Sequence, residues 1–143
     1  MVGKSLMGLR VVLFLAGLAV VVTGINVSFG GIATLGWQGS PSFFEVTDAR
    51  RFHAQDSHVR FLGGLWLGIG VLFVLGALHP QPCRKTLLAA LGLAFLGGLA
   101  RLTQGRLDVT LGPDIAGSFV AELVVFPLLA LWVAKAAKDR RAG

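Results

Sequence analysis

Four long apolar stretches constrain this chain more than any other feature of its sequence. Each holds about twenty residues with few charges, which is the length that a helix needs to cross the hydrocarbon core of a bilayer. The stretches are continuous and show no alternation of apolar and polar residues, so helices are favoured over the strands of a membrane barrel. The predicted spans cover residues 9–27, 59–78, 86–103 and 115–134.

The composition agrees with an integral membrane protein. The chain is 55% hydrophobic and only 14% charged, whereas soluble domains carry about 25% charged residues. Its 143 residues suit one domain, so we expect a single all-α, four-span transmembrane domain over residues 1–143, arranged as a four-helix bundle. The net charge of +6 comes from basic residues at the ends of the apolar runs. No basic patch is interleaved with aromatic residues, so the expected partner is the lipid bilayer and not a nucleic acid.

The basic residues predict the orientation of the chain. With four spans, both termini and the hairpin between the second and third spans share one side, which carries eight Lys and Arg against five on the other. The positive-inside rule therefore places both termini in the cytoplasm. The eight are Lys4, Arg10, Arg84, Lys85, Lys135, Lys138, Arg140 and Arg141, and the five are Arg50, Arg51, Arg60, Arg101 and Arg106.

The long outer loop after the first span contains a helix-start signal. The segment Ser42-Phe43-Phe44-Glu45 has the form of a capping box, in which the serine caps the helix and the glutamate reaches back to it. Phe44, Asp48 and Phe52 then recur at a spacing of four. This pattern predicts a short helix at the outer membrane interface. It is either a lid over a site or a linker that rests on lipid headgroups, and we favour the linker.

The segment FLGGL occurs twice, at Phe61–Leu65 and at Phe95–Leu99. The second and third spans are joined by a short hairpin and run antiparallel, so both copies lie toward the outer side at similar depth. Glycine pairs allow two helices to approach closely. We therefore predict a close crossing of the second and third spans, with Gly64-x-x-x-Gly68 extending the small face by one turn. The predicted packing glycines are Gly63, Gly64, Gly97 and Gly98.

A layer of charged side chains is predicted beside this crossing. Glu122 lies about 10–12 Å past the start of the fourth span, and an unpaired charge at that depth costs several kcal/mol. Glu122 should therefore face the bundle and pair with Arg101, whose fork can hold a carboxylate by two hydrogen bonds. Arg60 is the second candidate partner, although Asp56, four residues before it, can hold Arg60 instead. Asn26 can join the layer from the first span.

Catalytic and metal-binding patterns are weak. No serine–histidine–acid arrangement or pair of carboxylates is visible in the sequence. His53 and His58 are five residues apart, a spacing that does not place them squarely on one helix face, so surface histidines are favoured over a metal site. We therefore predict no catalytic residue, no metal and no cofactor.

Three spaced motifs carry a resemblance to a known family. They are Asp56-Ser57-x-x-Arg60-Phe61-x-Gly63-Gly64, the segment Phe95–Arg101, and Glu122-Leu123 with Pro127. Together they resemble the small bacterial membrane proteins of the domain of unknown function 4345, from the first span to the last. The resemblance implies four transmembrane helices in a bacterial inner membrane, and it implies no activity. The architecture is also similar to that of DoxX-like four-helix membrane proteins.

Two functions fit these observations best. The first is a structural or accessory subunit of a membrane complex, with a membrane protein or a second copy of the chain as its partner. The alternative is a small transporter or ligand-binding membrane protein that uses Arg60, Arg101 and Glu122 as its polar site. A sealed ion pair favours the first function, whereas a polar cavity open to one side favours the second. A membrane enzyme is a third and weaker possibility.

Overall fold

Long helices dominate the computed structural model, which describes residues 2–34 and 45–138. Within these two ranges most residues are helical and none forms a strand. Four of its helical stretches, including the fourth formed by α5, a π turn and α6, are long and apolar enough to cross a bilayer. The elements are α1 (Val2–Gly30), a 3₁₀ turn (Gly31–Thr34), α2 (Ala49–Leu78), α3 (Arg84–Leu102), α4 (Leu107–Thr110), α5 (Ala116–Val120), the π turn (Ala121–Val125) and α6 (Phe126–Lys138).

The helix that contains the second apolar stretch, α2, begins earlier than the predicted span. It starts at Ala49, and the carboxylate of Asp48 caps it by accepting a hydrogen bond of 3.1 Å from the backbone N–H of Arg51. Residues 45–48 are not helical. The predicted interfacial helix is therefore wrong at Glu45 and Asp48, because Asp48 starts the helix and Phe52 belongs to α2. The earlier part of that prediction, residues 42–44, lies outside the described residues.

Contacts along the chain define two compact units, which we describe separately. The central unit is Ala16–Val71, and the terminal unit consists of Met1–Leu15 with Leu72–Gly143.

Glycines bring α1 and α2 into backbone contact within the central unit. A Cβ added at Gly63 would lie 2.5 Å from the backbone nitrogen of Ser28, and one at Gly70 would lie 2.7 Å from that of Val21. A Cβ at Gly24 would in turn lie 2.6 Å from the backbone of Leu67. A side chain fits at none of the three positions unless the helices separate, so these glycines set the distance between the helices.

Small residues also line the contact of α3 with the fourth apolar stretch, in the terminal unit. Ala90, Ala94 and Gly98 recur every four residues on the buried face of α3, which packs along α6 and the π turn. Phe73 and Phe126 meet edge to face, with ring centroids 5.4 Å apart. The buried apolar side chains of this unit are Leu9, Leu13, Phe73, Ala77, Leu87, Ala90, Leu91, Ala94, Phe126, Leu129 and Val133.

Within the two units the glycine pairs make contacts that the sequence analysis did not assign, and the predicted close crossing of the second and third spans stays a prediction. Gly63 packs against α1 and Gly98 against the π turn, whereas a Cβ at Gly64, Gly68 or Gly97 would meet no described residue within 4 Å. Neighbouring helical residues point about 100° apart, so the two members of a glycine pair cannot serve one narrow contact equally. The two copies of the FLGGL motif therefore make different contacts, and one glycine of each pair makes the contact.

Candidate functional site

Arg101 and Glu122 form an ion pair inside the terminal unit. The Nε of Arg101 donates to Oε2 of Glu122 at 2.6 Å, and its Nη2 donates to Oε1 at 2.8 Å. The Glu122 side chain is 5% exposed and that of Arg101 is 38% exposed. Hydrogen bonds of this charged, forked kind are roughly twice as strong as neutral ones. Both oxygens of the buried carboxylate are thus satisfied, which a charge in an apolar setting requires.

Gly98 makes room for this pair. It lies three residues before Arg101, on the neighbouring turn of α3. A Cβ at Gly98 would lie 2.7 Å from Cβ of Glu122 and 2.9 Å from Cδ2 of Leu123. Any side chain at position 98 would therefore push the carboxylate away from its arginine.

Glu122 lies in the π turn and not in regular α-helix. The backbone N–H of Phe126 donates to the carbonyl of Ala121, five residues earlier. Pro127 follows directly and has no N–H, so it cannot donate to the carbonyl of Leu123 as an α-helix would require. Single π turns inside helices occur often at functional sites. Here the turn alters the rotation at which Glu122 meets α3.

A second polar cluster closes the end of α1 in the central unit. Asp56 accepts from Nε of Arg60 at 2.6 Å and from the backbone N–H of Ile32 at 2.7 Å. Arg60 also donates from Nη1 to the carbonyl of Phe29. The last carbonyls of a helix have no partner within it, so the two side chains act together as a C-terminal cap. Gly31 between them has a φ of +65°, and a Cβ there would overlap the Asp56 carboxylate.

The structure brings the predicted charged residues together in two pairs. Arg101 meets Glu122 in the terminal unit, and Asp56 meets Arg60 in the central unit. Asn26 is half-buried in α1, in the same unit as the second pair. A single layer that unites all five residues stays a prediction.

Arg10 has a structural role that the sequence analysis missed by treating it as a basic flank of the first span. Its Nε donates to the carbonyl of Ala77 at 2.8 Å, and its Nη2 donates to that of Leu78 at 2.9 Å. Arg10 therefore caps the C-terminus of α2 with a positive charge, where the helix dipole favours one. The apolar residues at positions 6, 7 and 9 were the available signal, because they extend the helix on the N-terminal side of Arg10.

Arg106 and Asp108 repeat the forked geometry at the surface. Their two hydrogen bonds measure 2.9 and 2.6 Å, and the side chains are 62% and 65% exposed. The hydrogen bond from Arg106 lowers the pKa of the Asp108 carboxyl, and the same bond raises the pKa of Arg106. This exposed pair is the natural comparison for the buried one.

The helices and the buried ion pair define an all-α protein with four stretches that can span a membrane. The family model of the domain of unknown function 4345 (DUF4345) matches residues 8–133, a range that includes both polar clusters. The chain therefore belongs to this family. No curated protein and no solved structure matches the chain. The similarity to DoxX-like proteins stays a prediction.

Proposed function

We propose that the chain is a structural or accessory subunit of a membrane complex. The observation that carries this proposal is the burial of Glu122 with each carboxylate oxygen already held by Arg101. A carboxylate in that state offers little to an incoming ligand. It instead fixes α3 against the fourth apolar stretch, as a structural clamp does.

Two exposed glycines supply candidate positions for a partner helix. A Cβ at Gly64 or Gly97 would meet none of the described residues within 4 Å, and large apolar side chains flank both, including Phe61, Leu65 and Leu96. Helices associate within a bilayer where small residues let their backbones approach. The partner is accordingly a helix of another membrane protein or of a second copy.

The complex is tested by purifying the tagged chain from its native membrane and separating the extract on a native gel. Gly64→Leu and Gly97→Leu should remove the partner while the melting temperature of the isolated chain stays equal or rises, because a Cβ at either position meets no described residue and leucine favours helix over glycine. Gly70→Leu is the control, and it should lower the melting temperature because Gly70 contacts Val21. A wild-type chain that migrates alone, without a partner or second copy, would contradict the proposal.

The membrane in question is a bacterial inner membrane, with both termini in the cytoplasm. The excess of basic residues on the side of the termini supports this placement. Cys83 offers a direct test, since it is the one cysteine of the chain and lies in the predicted cytoplasmic hairpin. An impermeant maleimide should label it only after the cells are opened, whereas a cysteine at position 45 in a Cys83→Ser background should react in intact cells. The reverse labelling pattern would show that the orientation is opposite to the one proposed.

A small transporter or ligand-binding protein is the alternative, and the exposure of Arg101 favours it. The Arg101 side chain lies in a candidate span and remains 38% exposed although its partner Glu122 is buried. Exposed arginine in such a segment marks a polar route in many membrane proteins. An Arg101→Gln/Glu122→Gln protein that keeps its stability and its partners but loses a solute-dependent phenotype would support this alternative.

A further inference from the structure

An apolar groove runs beside Arg10 in the terminal unit. It is an open groove with a volume of about 320 Å³ between α1 and the last turn of α2. Ligand sites typically begin near 300 Å³ and combine apolar walls with a few fixed polar groups. The walls here are Met7, Val11, Phe14, Leu15, Ala77 and Leu78, and Arg10 is the charged residue among them.

The Arg10 side chain is held in place at this groove. Two of its five N–H donors bind the carbonyls of Ala77 and Leu78, which leaves three for another acceptor. No described residue forms an ion pair with it. A guanidinium that is already fixed loses little freedom on binding an anion, and its planar fork suits a phosphate.

The surrounding sequence favours an anionic ligand. Residues 1–44 and 57–107, which include all of α1, the apolar part of α2 and all of α3, contain no aspartate or glutamate. Arg84 and Lys85 open α3 and add positive charge. Basic pockets between transmembrane helices on the cytoplasmic side bind the headgroups of anionic lipids.

The position of Arg10 along α1 selects a lipid over a soluble anion. It lies at the start of the first apolar stretch, one residue past the beginning of the predicted span at residue 9. That depth matches the boundary between headgroups and acyl chains. We propose that this groove binds an anionic diacyl phospholipid, whose phosphate contacts Arg10 and one of whose acyl chains lies on Val11, Phe14 and Leu15.

This proposal rests on the membrane insertion proposed above, and a purified-protein assay tests it separately from any partner. The detergent-solubilised full chain is titrated with phosphatidylglycerol and with phosphatidylcholine of identical acyl chains, and bound lipid is counted by native mass spectrometry. The wild type should prefer phosphatidylglycerol by about tenfold or more, because the positive choline of phosphatidylcholine offsets the attraction of its phosphate for Arg10, whereas phosphatidylglycerol keeps a net negative charge.

Two variants test the headgroup contact and the acyl-chain contact separately. Arg10→Gln should abolish the preference between the two lipids. Leu15→Trp, at a side chain that is 60% exposed, should weaken the binding of both lipids by filling the groove without disturbing the core. Arg51→Gln is the control for loss of an exposed arginine and should bind as the wild type does. If Arg10→Gln does not fold, Leu15→Trp decides alone.

The proposal is overturned by equal binding of the two lipids to the wild type. It also fails if Leu15→Trp keeps wild-type affinity for phosphatidylglycerol. A lipid-free dimer that Leu15→Trp dissociates would likewise overturn it, because a second copy would then occupy the groove. The two lipid-binding results leave the topology and native-gel tests unaffected, whereas a dimer would itself be seen on the native gel.

Discussion

Removing Arg101 should harm the protein more than removing Glu122. In Arg101→Gln the carboxylate of Glu122 stays in a site where only 5% of its side chain is exposed, without its cation. Leaving a buried charge unpaired costs about 3 kcal/mol or more. In Glu122→Gln the remaining arginine is 38% exposed and reaches solvent or headgroups more easily, so we expect about 1–2 kcal/mol.

The double variant measures the coupling energy between Arg101 and Glu122. Arg101→Gln/Glu122→Gln contains no charge at the site, and the two amides can bond to each other. We expect it to lose only about 1–2 kcal/mol, which corresponds to a coupling energy of about 3 kcal/mol between the two residues. For a chain of this length, about 3 °C accompanies each kcal/mol, so Arg101→Gln should lower the melting temperature by roughly 10 °C and the double variant by only a few degrees.

The assay is thermal unfolding in one mild detergent at pH 7, followed by the fluorescence of the three tryptophans. Arg106→Gln is the matched control, because it breaks a pair of the same forked geometry that is exposed on both sides. It should lower the melting temperature by far less than Arg101→Gln does, because exposed ion pairs contribute little to stability. If the losses of the two single variants simply add in the double variant, the pair is not coupled and burial of Glu122 does not have the consequence argued here.

Three further predictions concern other parts of the chain. Gly63→Ala should lower the melting temperature, because the added Cβ would meet the backbone of α1. Gly64→Ala should leave the melting temperature equal or raise it, since alanine favours helix over glycine by about 1 kcal/mol. Equal losses in the two variants would refute the assignment of contacts. Arg84→Met should cost nothing or stabilise the detergent-solubilised chain, because the buried Nε of Arg84 has no acceptor among the described residues; a large loss would show a contact of that side chain that the structure lacks. The lowered pKa of Asp108 implies a contribution to stability that is present above the ordinary carboxyl pKa of 3.8 and is lost as the pH falls through the lowered value; Asp108→Asn should remove this part of the pH dependence of unfolding, and an unchanged profile would contradict it.

The sequence predicted the apolar spans well because their signal is compositional. Twenty apolar residues in a row have few structural options, and the third predicted span, residues 86–103, differs by one or two residues from Arg84–Leu102. The ends of α1 and α2 were harder to predict from the sequence. Their polar extensions depend on local capping, as at Asp48, and the hydrophobicity of the spans carries no information about it.

The ion pairs were partly accessible from the sequence for an energetic reason. Glu122 is an acid within an apolar run, so it needs a cation, and few cations lie at a suitable depth. The partner helices of the glycines could not be read in this way. Choosing Gly63 over Gly64, or Gly98 over Gly97, requires the rotation of each helix, and in the fourth apolar stretch the π turn alters that rotation.

Because of the π turn, the conformation of the fourth apolar stretch depends on how many residues it contains. Such a turn accommodates one residue more than α-helix does over the same rise, and each residue of an α-helix advances about 100°. Deleting one residue from Ala121–Val125 would restore continuous α-helix and leave α5 and α6 in nearly the same mutual rotation, because the turn absorbs its extra residue. Only the side chains within the turn would change direction, although every remaining side chain keeps its chemistry. The effect of a single-codon deletion here therefore depends on whether the lost residue lies before or after Glu122, and not on its size or polarity.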